Sequence, residues 1–223
     1  MKLTIGTKSV LFGAHQFLIH PWFVAWAWWT LYGFPFDLRL WVAFFIHDLG
    51  YVGQPNMDGP EGERHPVLGA RLMAMLFDRA QLARGVHVPF EFAGTRMRLG
   101  TWGQFTLLHS RYFAKSLGRQ PSRLCIADKL AIALTPAWLY LPMVRASGEI
   151  YEYMAHAKHR IVGNISITED EKRRVVSSSQ AEWYAGVQSY CRRWAFAHRD
   201  GAVDTWTSDA RNRAVINDEG VWK

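Results

Sequence analysis

An all-α helical bundle is what the sequence predicts, and three observations predict it. Apolar residues recur at helical spacing through most of the chain. Strand signals are sparse: no run alternates with period two, and no Asn-Gly pair offers a hairpin turn. Helix start and stop residues punctuate the apolar stretches at regular intervals.

The elements follow in order. Pro21 suits the first turn of a helix, where its missing N–H would have no partner anyway, and that helix should run to Gly33. Asp37 is a good N-cap for a second helix over about 38–49, apolar nearly all round and therefore buried. Residues 51–64, YVGQPNMDGPEGER, read as a Gly/Pro-rich loop. His65-Pro66 opens a third helix that ends by about Arg84-Gly85, and 86–100 look irregular. A fourth helix is expected over 103–116 and a fifth over 122–134. Pro136 and Pro142 flank a short apolar piece, and a further helix spans about 146–161. Thr168 with Glu171 fits a capping box that would open a long helix reaching His198. The whole reads as a single domain of 223 residues: a core at about 15–140, a C-terminal helical extension at about 146–200 and a polar tail at 201–223.

Composition narrows the function classes. With 49% hydrophobic and 20% charged residues the chain is globular in character. The net charge of +7 suits either an anionic partner (a nucleotide or other small phosphate, an acidic lipid, or nucleic acid, although no nucleic-acid motif is present) or simple solubility, since the basic residues are spread along the chain and form no long block. Cys125 and Cys191 show no paired spacing and the N-terminus shows no signal peptide, so the expectation is a reducing, cytoplasmic setting. The stretch from Phe17 to Phe36 approaches the length of a membrane span. His20-Pro21 and Gly33-Phe34-Pro35 interrupt it, so a buried core helix is expected, with an interfacial helix as the alternative because Trp favours the water–lipid boundary. The aromatic surplus would also suit a homo-oligomer.

The chemistry concentrates in six residues. His47-Asp48 ends an apolar helix, WVAFFIHD, and two polar groups at the buried end of such a helix need a partner. Asp128 sits in a similarly apolar run, LCIADKLAI. His20 and His65 stand at helix starts and His109 lies within FTLLHSRYF. Imidazole and carboxylate together suit Mn, Fe, Co, Ni or Zn better than Ca or Mg alone. His15 competes with His20 for the first position.

The order His … His-Asp … His … His … Asp on successive helices resembles the HD-domain superfamily of metal-dependent phosphohydrolases. HDLGY resembles the superfamily's signature, ERHPVLGARL its following helix and ADKLAIAL its final Asp helix, and the similarity covers roughly residues 15–140. It implies an HD-domain helical bundle with additional C-terminal helices. His20, His47, Asp48 and Asp128 match the holders of a first metal. His65 and His109 match the pair that holds a second, with Asp48 bridging. The departures are Tyr51, where many members carry Lys or His, and Ser110, where some carry a second adjacent His.

The resemblance further implies hydrolysis of a nucleotide or other small phosphate ester by a metal-activated water. Arg64, Arg111, Lys115 and Lys129 are the candidate phosphate clamps, Arg64 and Lys115 foremost, and Glu61 or Glu63 could orient water or an imidazole. Two other classes stay open: a di-iron oxygenase of the same superfamily, oxidising a C–H bond, and a non-catalytic binding module.

Overall fold

A computed structural model describes residues 3–92, 94–162 and 178–200. The fold is all-α with one small hairpin. Its helices are α1 (Ile5–Phe12), α2 (His20–Tyr32), α3 (Leu38–Ile46), α4 (His65–Phe77), α5 (Arg79–Ala83), α6 (Thr101–Leu107), α7 (Arg111–Ser116), α8 (Arg123–Leu134), α9 (Ala137–Ser147), α10 (Glu149–Val162) and α11 (Gln180–His198). Two 3-10 turns, Leu49–Tyr51 and Gly62–Arg64, bracket the loop between α3 and α4.

Local chemistry explains most boundaries. Thr4 caps α1 by accepting from Thr7 N–H, Asp37 caps α3 by accepting from Arg39 N–H, and Pro21 and Pro66 occupy first turns. Ser179 and Glu182 form a reciprocal capping box, and α11 starts at Gln180; the capping box expected at Thr168 and Glu171 lies outside the described residues.

Four expectations are corrected. Residues 86–100 are not irregular: β1 (Val88–Phe92) and β2 (Thr95–Leu99) form an antiparallel hairpin, with Gly94 at φ 77° in its turn. The helix expected over 103–116 breaks at Leu108–Ser110, and Ser110 caps α7 by accepting from Phe113 N–H. The helix expected from 65 to 84 divides at Asp78, which instead accepts from Trp102 and Gly103 N–H at the start of α6. Pro142 lies inside α9, and does not bound a short piece.

α8 is the central helix, packed against α2 and α11. Val24, Ala27 and Leu31 of α2, Phe44 of α3, Leu130 of α8 and Ala195 of α11 lie in one buried core. α4 packs on α6 and on the 3-10 turn at Leu49–Tyr51. This cross-packing brings the start of α2, the end of α3, the start of α4, the α6–α7 break and the middle of α8 to one place. Among the described residues no single helix is long and apolar enough to cross a membrane. The pair α8–α9 passes only together and is bent by 104°.

Candidate metal centre

The six histidines and aspartates come from five places in the fold, and all six are buried, from 1% exposed at His47 to 8% at Asp128. His20 opens α2, His47 and Asp48 follow the last turn of α3, His65 opens α4, His109 sits in the α6–α7 break and Asp128 is mid-α8.

They form two groups that share Asp48. In the first, one ligand atom each from His20, His47, Asp48 and Asp128 lies within 4.8 Å of the others. In the second, the same holds for Asp48, His65 and His109. The carboxylate is split between them. Asp48 Oδ2 is 3.0 Å from His47 Nε2 and 3.5 Å from His20 Nε2. Asp48 Oδ1 is 3.4 Å from His109 Nε2 and 3.7 Å from His65 Nε2. Asp128 Oδ1 closes the first group at 3.0 Å from His20 Nε2 and 3.9 Å from His47 Nε2.

Three imidazoles are oriented in the same way. His47 Nδ1 donates to Phe44 O at 2.9 Å, His65 Nδ1 to Gly62 O at 2.7 Å and His109 Nδ1 to Thr106 O at 2.5 Å. Each therefore turns its Nε2 lone pair inward, the arrangement that metal-ligating histidines use. His47 Nε2 and Asp48 Oδ2 are buried 3.0 Å apart and make no well-aligned hydrogen bond, to each other or to another group. Orphaned buried polar atoms are costly, and a cation between them relieves that cost. The donor set, imidazole nitrogen and carboxylate oxygen, fits a divalent transition metal.

Electrostatics agree. Burial alone would raise the Asp48 and Asp128 carboxyl groups; the surrounding imidazoles outweigh it and hold both well below the usual range. Burial opposes charge on His47, yet the two carboxylates push its pKa up to about 10. At His65, burial and then the neighbouring His109 depress it well below the ordinary imidazole value.

The chain makes the second group possible by a close approach. A Cβ on Gly50 would fall 2.0 Å from the carbonyl oxygen of His65 and 2.7 Å from its carbonyl carbon. Only a glycine lets the turn after Asp48 touch the first residue of α4.

The remaining sequence candidates divide. Lys129 is half-buried, and burial and Asp128 act on its charge in opposite senses, with Asp128 prevailing. Arg111 points to α11: its Nη1 donates to Tyr190 Oη at 3.0 Å and its guanidinium lies 5.3 Å from the Trp194 ring. Arg64 is exposed at the start of α4, and Lys115 is half-buried in the last turn of α7. Glu61 accepts from Asn56 Nδ2 at 2.7 Å and braces the loop. Glu63 is half-buried two residues before His65, and its charge reaches Tyr51.

His20, and not His15, is the histidine within the cluster. His15 stands beside it, ring centroids 5.7 Å apart. Sequence reasoning missed what surrounds His15. Ser9 Oγ donates to Glu149 Oε2 at 2.8 Å and, its one hydrogen so used, accepts from His15 Nδ1 at 2.9 Å. It noted Tyr51 only as a departure from the family signature and missed that it stacks on the His65 ring at 3.9 Å and 10°. Nothing in the sequence pointed to that contact, and for Glu149 there was no signal.

No family model, no curated protein and no solved structure matches the chain.

Proposed function

We propose that the protein is a metal-dependent phosphohydrolase of HD-domain type, acting on a nucleotide or another small phosphate ester. One observation carries the reading: Asp48 presents one carboxylate oxygen to His20, His47 and Asp128 and the other to His65 and His109. That is the donor arrangement for two neighbouring divalent ions with a shared carboxylate. Such ions would supply a water of lowered pKa and neutralise charge on phosphate oxygens. His20, His47 and Asp128 would hold one ion, and His65 and His109 the other, with Asp48 between. The backbone acceptors at Phe44, Gly62 and Thr106 hold three imidazoles in the inward tautomer. Lys129 would balance negative charge behind Asp128, and Arg64 and Lys115 would receive the substrate's phosphate.

A second reading is an oxygenase with two irons. The same imidazole and carboxylate donors would suit iron, and Arg111, one expected phosphate clamp, is instead engaged with Tyr190 and Trp194 of α11.

The test is metal analysis of protein purified without chelator, followed by a screen of nucleotides and phosphate esters with Mn, Co or Ni added. The expected result is up to two ions per chain and metal-dependent phosphate release that Asp48→Ala abolishes. Iron with oxygen consumption and no phosphate release would move the assignment to the oxygenase. Absence of any bound metal under every loading condition would end both.

A further inference from the structure

The first third of the chain carries an unusual surface. Between Ser9 and His47 the only formally charged side chains are Asp37 and Arg39, and these pair with each other at 2.7 Å. α2 is apolar all round: Val24, Ala27 and Leu31 are buried in the core, while Trp22, Trp26 and Trp29 project from the opposite side, each more than half exposed. Their spacing of four and three residues puts them on one helix face.

That face continues at both ends. Phe17 precedes it, and Phe34 and Phe36 follow, all at least 42% exposed and Phe36 84%. Through Phe45 and Trp41 the rings of Phe17, Trp22, Trp29, Phe34 and Phe36 form one connected belt, with centroid separations of 4.9 to 6.5 Å, and Trp26 stands on the same helix face between Trp22 and Trp29. A helix apolar on every side is expected in a protein core or in lipid, not against water. Contiguous exposed apolar surface of this extent marks a docking site.

From this belt we infer that the protein docks on the surface of an anionic lipid bilayer through Phe17, Trp22, Trp26, Trp29, Phe34 and Phe36. Two features select lipid over a second protein surface. The side chains are those that concentrate at the water–lipid boundary, Trp above all, with almost no polar groups among them to set register with a protein partner. The charge is complementary: the chain is +7, and at the Gly33 end of α2 the exposed Arg123 stands over Tyr32, with Arg199 beside it paired to Asp200 at 3.9 Å, which leaves that end net positive. Arg123 lies 5.0 Å from the Tyr32 ring, and the carbonyl of Arg199 accepts from the Tyr32 hydroxyl at 3.1 Å. Basic side chains beside an apolar face add attraction to anionic headgroups. No helix need cross the bilayer; the belt lies in its interface.

The belt also runs into the candidate metal centre. Phe17 and Phe45 line the small cavity that His20, His47 and Asp48 also line. Docking therefore brings that cavity next to the lipid surface. The inference itself rests on the belt and not on the metal chemistry.

The experiment is sedimentation with vesicles of phosphatidylcholine alone and of phosphatidylcholine with phosphatidylglycerol, the acyl chains brominated so that inserted indoles are quenched. Metal-free protein serves, so a failure of the hydrolase reading leaves this result untouched. The expected outcome is binding to the anionic vesicles, weakened by salt, with quenched Trp emission. Both should fall by about tenfold in W22S/W26S/W29S and in the loop variant F36S, each with native helical circular dichroism. No binding to either vesicle by the folded protein overturns the inference. So does binding unchanged in both variants, and so does a dimer in solution that either variant converts to monomer, which would give the face to a second copy of the chain.

Discussion

The Nε2 atoms of His65 and His109 face each other at 3.1 Å, and each ring already donates its Nδ1 proton to a backbone carbonyl. Two neutral imidazoles so held oppose lone pair to lone pair. The contact is favourable only with a proton or a metal ion between them, and burial of His65 together with its neighbour His109 depresses the basicity a proton would need. The geometry is preorganised for a cation, and the polypeptide holds it at some cost in stability.

Metal binding should therefore stabilise the fold. A ligand at a hundred times its Kd adds about 2.7 kcal/mol, which for a chain of this size raises Tm by roughly 5–10 °C. Differential scanning calorimetry before and after chelation, with Mn or Co restored afterwards, checks it. A Tm indifferent to chelator and to metal would count against a structural fit between ion and site.

Uptake should release protons. The His47 pKa stands at about 10 without a metal, so at pH 7 its ring carries a proton that an ion must displace. The sign follows: apparent affinity rises with pH between neutrality and that value. Titration of the metal-free protein with Zn in weak buffer, read by a pH indicator, should show release of about one proton per first-site ion. His47→Gln should bind weakly and with a flatter pH dependence.

The two groups should empty separately, except through the residue they share. His65→Ala with His109→Ala should leave one ion per chain, because His20, His47, Asp48 and Asp128 remain. Asp48→Ala should lose both. Mass spectrometric metal counts on matched preparations decide, and equal losses from the two variants would deny Asp48 its shared role.

The all-α class and the gathering of buried His and Asp residues were legible in the sequence; several helix boundaries were not. Buried polar residues in apolar helices announce themselves chemically, and His47-Asp48 and Asp128 were such residues. The break at Leu108–Ser110 was not legible, since no Gly or Pro stands there. Ser110 is a poor helix-interior residue only when its cap partner, Phe113 N–H, is known to be available. The hairpin was hidden by Pro89 within β1, a residue that argues against a strand. α1 was hidden by its length of eight residues and its weak apolar pattern. The belt was visible as composition, but whether Trp22, Trp26 and Trp29 pointed inward depended on which face α8 covers.

Glu149 should be worth more to stability than any surface acid. Its Oε1 accepts from Ala14 N–H at 2.6 Å and Ser147 Oγ at 2.7 Å; its Oε2 accepts from Ser9 Oγ at 2.8 Å and Tyr153 Oη at 3.1 Å. Burial would raise its pKa, but His15 and these donors lower it below the ordinary 4.5. Its contribution is thus fully present above pH 4.5 and is lost as pH falls through the lower folded value. Glu149→Ala, which removes the shared acceptor of four donors around α1, α9 and α10, should cost about 3–5 kcal/mol. Urea unfolding from pH 3 to 7 should show wild type losing stability on the acid side and Glu149→Gln losing less.

Gly50→Ala tests how the second group is built. The added methyl would meet the His65 carbonyl, main chain that cannot rotate aside, so the first turn of α4 must move away from the turn after Asp48. Overpacking of this kind costs about 1–3 kcal/mol. The displacement falls on His65, while His20, His47 and Asp128 belong to α2, α3's end and α8 and are not pushed. The expected variant is folded, less stable and holds one ion where the parent holds two, with the stacking of Tyr51 on His65 loosened. Metal counts joined to thermal unfolding read both effects. A variant with undiminished Tm and an unchanged count would mean that the turn yields freely, and that Gly50 is not what seats His65 against Asp48.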